Sequence, residues 1–174
     1  MIRISITGPE STGKSWLAER LAAHYKSVWV PEYAREYLRQ INRPYNFDDI
    51  LLIAQKQFEQ ENSMAQKTEL LFCDTDLCVT SIWCSVKYGK NHEWIERKLK
   101  ENSYNLYLLC DVDLPWEFDP LREHPQMRSE LFGLYNNLLG NNRFNYRIVS
   151  GLNEERLQNA IRYVDEYLQS AFKK

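Results

Sequence analysis

The chain has 174 residues, of which 44% are hydrophobic and 26% charged, as expected of one globular domain with a substantial core. A formal net charge of −2 excludes the basic footprint of a nucleic-acid or anionic-membrane binder. No run of about 18 apolar residues is present, so no membrane-spanning helix is expected.

Ile2–Ile6 reads as a buried strand. Two residues later, residues 8–15 spell Gly-Pro-Glu-Ser-Thr-Gly-Lys-Ser, a complete phosphate-binding P-loop. The pattern arises by chance in roughly 1 in 100 chains of this length. Here it sits where its chemistry works, between an apolar strand and an amphipathic helix. Backbone N–H groups from Gly8 to Gly13, including those of Glu10, Ser11 and Thr12, curl around phosphate oxygens. Lys14 reaches the outer phosphates, and the Ser15 hydroxyl is a Mg²⁺ ligand.

The first helix is expected from Lys14 to about Tyr25, and a short strand over Val28–Val30 ends at Pro31. Helices follow over Tyr33–Ile41 and from Asp48 to about Lys67, with Asn42-Arg43-Pro44 breaking the chain between them. Leu70–Cys73 is a buried strand, Thr75 to about Tyr88 a helix stopped by Gly89, and Glu93–Lys100 a further helix. Leu106–Cys110 is the fourth strand. Residues 114–128 form a lid-like loop carrying Pro115, Pro120 and Pro125. Ser129–Leu139 is a helix ending at Gly140, Tyr146–Val149 the fifth strand and Asn153–Phe172 a closing helix. Strands alternating with helices imply a single α/β domain over 1–174. It is a three-layer P-loop NTPase fold with a five-stranded parallel sheet and helices on both faces.

Met1 leads directly into the first strand without signal-peptide regions, and a cytoplasmic protein is expected. Cys73, Cys78, Cys84 and Cys110 form no Cys-x-x-Cys and read as reduced core thiols. His24, His92 and His124 are scattered, so no zinc site is expected.

The Asp-x-x-Gly and Asn-Lys-x-Asp motifs of GTPases are missing, as is the Leu-Ser-Gly-Gly-Gln of transporter ATPases. Motor ATPases need more chain and a lid domain of their own. Small-molecule kinases remain, which need an acceptor pocket, a base and a cationic lid. Glu32, just past the second strand, is a candidate base or hydroxyl ligand; the alternative is an acid complementing a helix dipole. Arg35, one turn on, binds phosphate or pairs with a carboxylate. Asp74, at the end of the third strand, has the Walker B placement opposite Ser15, or else caps the following helix. Asp76, two residues on, is a second candidate for the crevice. Arg122 and Arg128 on the lid-like loop are candidates for stabilising transferring charge. Aromatic residues, among them Tyr33, Tyr37, Trp83, Tyr88, Trp94 and Trp116, offer stacking faces, although most are expected in the core.

Four segments together resemble one group, the C-terminal nicotinamide riboside kinase domain of NadR proteins. They are the P-loop, Pro31-Glu32-Tyr33-Ala34-Arg35-Glu36-Tyr37, Cys73-Asp74-Thr75-Asp76 and Asp119-Pro120-Leu121-Arg122-Glu123-His124-Pro125. Ile53-Ala54-Gln55, Val86-Lys87-Tyr88-Gly89 and Leu108-Leu109-Cys110-Asp111 extend the likeness over almost the whole chain. The resemblance implies transfer of the ATP γ-phosphate to the 5′-hydroxyl of nicotinamide riboside, with Mg²⁺ as cofactor. It places Glu32, Asp74 and Asp76 at the acceptor and metal, with Tyr33 and Arg35 as further substrate contacts. Kinases of another nucleoside or vitamin-like alcohol, and a non-catalytic ATP- or GTP-binding module, stay open as alternatives. Enteric NadR resembles a fusion with adenylyltransferase and DNA-binding domains; neither lies within these residues, so neither role is expected of them. Trp16 stands where the family usually has a small Thr, so an indole meets the nucleotide or packs under the sheet.

Overall fold

The computed structural model describes residues 1–171; the end of the closing helix expected at Phe172 lies outside them. The elements in chain order are β1 (Ile2–Thr7), α1 (Lys14–His24), β2 (Val28–Val30), α2 (Tyr33–Gln40), α3 (Phe47–Ala65) and β3 (Leu70–Asp74). They continue with α4 (Leu77–Tyr88), α5 (Glu93–Glu101), β4 (Leu106–Cys110), α6 (Arg128–Asn141), β5 (Tyr146–Val149) and α7 (Asn153–Ala171). All neighbouring strands are parallel, in the order β2-β3-β1-β4-β5.

Apolar strands buried on both faces divide the core in two. On one side Ile4, Ile6, Phe72 and Leu108 pack against Leu17 and Leu21 of α1 and Ala160, Ile161 and Val164 of α7. On the other, Leu71, Cys73, Tyr107 and Leu109 meet α3, α4, α5 and α6 through Ile50, Ile82, Ile95 and Leu131. The expected three layers are therefore present. All four cysteines are buried and free, with burial raising each thiol's pKa.

Among the element ends that differ from expectation are those of α6 and α4. α6 runs through Gly140 to Asn141, since Gly140 sits within the helical hydrogen-bonding pattern and only Tyr146 approaches the position of its absent side chain. α4 begins at Leu77, two residues later than expected. Its cap is Asp76, whose Oδ1 accepts from Cys78 N at 2.8 Å and Val79 N at 3.1 Å. Thr75 between the aspartates has φ +74°, a costly conformation for a β-branched residue. That turn separates the two carboxylates.

The parallel order puts the functional candidates at one edge of the sheet. The crossovers from β1 and from β3 run to opposite sides of the sheet, so the strand order switches between these two strands, where a crevice opens at their carboxyl ends. Ile6 is in register with Asp74, and Val30 of β2 with Cys73. The P-loop, Asp74 and Glu32 thus leave adjacent strands side by side.

Candidate active site

The P-loop closes tightly against β4. Gly8 has φ +131°, and a Cβ there would stand 2.9 Å from the Cys110 carbonyl, so glycine is required. Thr12 Oγ1 donates to the Pro9 carbonyl at 2.8 Å, and Lys14 Nζ donates to the carbonyls of Gly8 and Pro9 at 2.9 and 2.7 Å. Gly13, at φ +75°, caps α1 without a side chain, which leaves the positive helix end facing the loop.

A cavity of about 860 Å³ runs from this loop across the crevice. One end is lined by Gly8 through Trp16 with Leu152, Asn153 and Arg156. The other is lined by Ala34 and Leu38 of α2, Val79, Ile82, Trp83 and Val86 of α4, Leu131 and Tyr135 of α6, and Tyr45. Glu32 and Arg35 line it within electrostatic reach of Asp74, and Leu114–Pro115, Glu117 and Leu121–His124 line it from the segment between β4 and α6. The volume lies at the large end of the range for small-ligand sites, consistent with room for more than one small group.

Asp74 is 1% exposed, and its Oδ1 makes no hydrogen bond among the described residues. Burial first, and then the charge of Glu32, lifts its pKa to about 6, while Ser15, Lys14 and Arg35 favour the ionised form. An orphaned buried carboxylate oxygen beside a serine hydroxyl and a lysine suits a hard cation shared with phosphate oxygens. Among the described residues no group of three or more His, Cys, Asp or Glu is placed to hold a metal alone.

Asp76 differs from the sequence expectation. It is 2% exposed and lies outside the cavity lining. Ser5 Oγ and, at 3.2 Å, Thr7 Oγ1 donate to it from within β1, in addition to the two N–H groups of α4. With four donors its carboxylate is satisfied internally, and the N-cap role weighed for Asp74 belongs to Asp76.

Asp74, Tyr33 and Arg128 also lie outside the cavity lining, with Asp74 set behind Ser15 and Lys14, which do line it. Tyr33 N donates to Gln57 Oε1 at 2.9 Å, and its ring lies 6.2 Å from that of Tyr37. Arg128 opens α6 and donates to the carbonyls of Ser11 at 3.1 Å and Leu114 at 2.8 Å, bracing the P-loop from behind. Arg122 and Arg128 flank the Trp116 ring at 5.9 and 5.8 Å, which accounts for that indole; nothing explains the 86% exposure of Phe118. Trp16 lines the cavity, backed by Arg20 at 5.7 Å.

The lid loop is stitched to the P-loop. Both Glu10 carboxylate oxygens accept lid N–H groups, from Glu123 and His124 at 3.1 Å each. Ser11 Oγ accepts from Glu117 N at 2.9 Å and Arg122 Nη1 at 3.3 Å. Toward α4, Lys87 donates to Glu123 at 2.9 Å and lies 3.8 Å over the Tyr45 ring, while Trp83 Nε1 donates to Tyr45 Oη at 2.8 Å. Sequence reasoning missed Tyr45, Lys87, Glu123 and, above all, Arg156. Arg156 is 1% exposed on α7 and donates to the carbonyls of Gly151, Thr12, Val149 and Asp111 and to the Asp113 carboxylate. One guanidinium thereby ties the P-loop to the ends of β4 and β5. No local motif announces an arginine in a helix whose neighbours are set by tertiary packing.

Fold and site together define a P-loop nucleotide-binding protein with the architecture of the small kinases. Residues 3–156 match the model of the family described as AAA domain, and the chain belongs to that family. It is 26% identical over 125 residues, 68% of the chain, to the trifunctional NAD biosynthesis/regulator protein NadR of Salmonella typhimurium. The match spans 30% of that relative's length. The fold is similar to that in a crystal structure of NadR protein in complex with NR, with TM-score 0.79, 20% identity, and 95% of this chain and 51% of that one covered. It is also similar to thymidylate kinase from Ehrlichia chaffeensis, with TM-score 0.64, 14% identity, and 94% and 97% covered.

Proposed function

We propose that the protein transfers the γ-phosphate of ATP to the 5′-hydroxyl of nicotinamide riboside, giving nicotinamide mononucleotide. The observation that carries the reading is the single cavity joining the P-loop to an aromatic-walled pocket, with Glu32 in its lining. The likeness to NadR, and to a NadR structure holding NR, supports this choice of acceptor.

In this reading the P-loop N–H groups and Lys14 hold the β- and γ-phosphates, and Trp16 lies beside the nucleotide. Ser15 and Asp74 would hold Mg²⁺, which would supply positive charge against the phosphate oxygens. Tyr45 and Trp83 face the pyridinium ring, and the carboxylates of Glu32 and Asp74 suit its positive charge. Glu32 accepts the hydrogen bond of the attacking hydroxyl and takes its proton as the new O–P bond forms and the bond from the γ-phosphorus to the bridging oxygen breaks, releasing ADP. Arg122, carried on the lid beside Ser11, stabilises charge on the group in flight, and the lid keeps out water.

The test is product formation from ATP and Mg²⁺ with a panel of nucleosides, read by mass spectrometry. Selective formation of nicotinamide mononucleotide is expected. Phosphorylation of thymidine or deoxyadenosine instead would move the assignment to another nucleoside.

A further inference from the structure

Asp119, outside the cavity lining, occupies the middle of a polar path that joins four lining residues, Glu32, Arg35, Arg122 and Ser11. Its Oδ1 accepts from Leu121 N at 2.9 Å, and its backbone carbonyl accepts from Arg122 N at 2.9 Å. These bonds shape the lid turn from which Arg122 projects. Its Oδ2 accepts from Arg35 Nη1 at 2.7 Å, and Arg35 Nε donates to Glu32 Oε2 at 3.1 Å. Arg122 reaches Ser11 Oγ at 3.3 Å and also donates to the Glu117 carbonyl. The path Glu32–Arg35–Asp119–Arg122–Ser11 therefore links the acceptor side to the phosphate side.

Energetics separate positioning from stability here. The Arg35 and Asp119 side chains are 34% and 19% exposed, and ion pairs with that much solvent access contribute little to folding. The Leu121 N–H, followed by Arg35, keeps the Asp119 carboxyl below the usual carboxylate range, so the pair stays charged. Displacing a charge-stabilising group by about 1 Å, in contrast, costs about a hundredfold in turnover.

We propose that Asp119 is a positioning residue that couples acceptor binding to placement of the lid arginine. The Arg35 guanidinium is shared between Glu32 and Asp119, so a hydroxyl hydrogen-bonded to Glu32 alters its hold on the lid turn. The inference rests on the phosphoryl-transfer reading above. Asp119→Asn is expected to lower kcat by about 10- to 100-fold while leaving the KM for ATP within about threefold. It is also expected to raise the share of ATP lost to hydrolysis, because a misplaced lid admits water. The double variant with Arg35→Gln should be no more than about twofold worse than Arg35→Gln alone. Equal losses in kcat and ATP affinity, or additive losses in the double variant, would overturn the proposal. A second measurement needs no acceptor: trypsin cleavage after Arg122 in the presence of Mg²⁺ and a non-hydrolysable ATP analogue. Slower cleavage in the parent protein than in Asp119→Asn supports placement of the lid turn by Asp119 even if nicotinamide riboside is not the acceptor. Equal cleavage overturns it.

Discussion

In the phosphate half of the cavity, consecutive residues from Gly8 to Trp16 supply most of the lining. The acceptor half draws instead on side chains from α2, α4, α6 and the loop before α3. A phosphate is recognised by N–H groups in a fixed curl, so one local sequence suffices. A flat heterocycle is recognised by the shape and polarity of a pocket, which only packing assembles. Substitutions in the first half should therefore act on chemistry, and those in the second on affinity for the acceptor.

The sharpest way to break this comparison is Lys14→Ala, expected to lower kcat/KM by about 10³-fold or more with the fold intact; near-parent turnover would contradict the P-loop assignment. Next come the paired aspartates. Asp74→Asn should lower turnover by about 10²-fold and weaken its Mg²⁺ dependence without loss of thermal stability. Asp76→Ala should cost about 2 kcal/mol in denaturant unfolding, through a lost cap and stranded Ser5 and Thr7 hydroxyls, with per-molecule activity largely kept. Exchanged phenotypes would reverse the two roles. Trp83→Ala tests the other half: the KM for the riboside should rise about tenfold with the KM for ATP unchanged.

The smallest expected effect lies away from the cavity. Glu61 is fully buried and accepts from Tyr104 Oη at 2.8 Å, with Arg3 3.5 Å away. Burial lifts its pKa to about 7 against the pull of Tyr104 and Arg3. A carboxyl raised on folding binds its proton more tightly in the native state. The resulting stability is full below the ordinary carboxylate range and is lost as pH rises through about 7. Thermal midpoints should therefore decline across that window in the parent protein and decline less in Glu61→Gln.

The same division governs what the sequence disclosed. All five strands were legible to within a residue because buried parallel strands are short apolar runs. The P-loop was legible because its chemistry is local. Asp74 and Asp76 looked alike, since only the left-handed turn at Thr75 sends one toward Ser15 and the other into β1. Glu10 reads as a phosphate-loop residue, yet its carboxylate holds the backbone of a lid more than a hundred residues away in sequence. Arg156 was invisible because each of its partners is fixed by where the strands end. The family resemblance supplied the acceptor, which periodicity and spacing could not.

The central claim is that one cavity holds donor and acceptor for direct phosphoryl transfer. Phosphorus NMR of the protein with Mg²⁺, ATP and nicotinamide riboside tests it most directly. The account predicts that the γ-phosphate resonance falls as ADP and a new monophosphate ester rise in equal amounts. A spectrum in which ATP persists, or yields only ADP and inorganic phosphate, would contradict it.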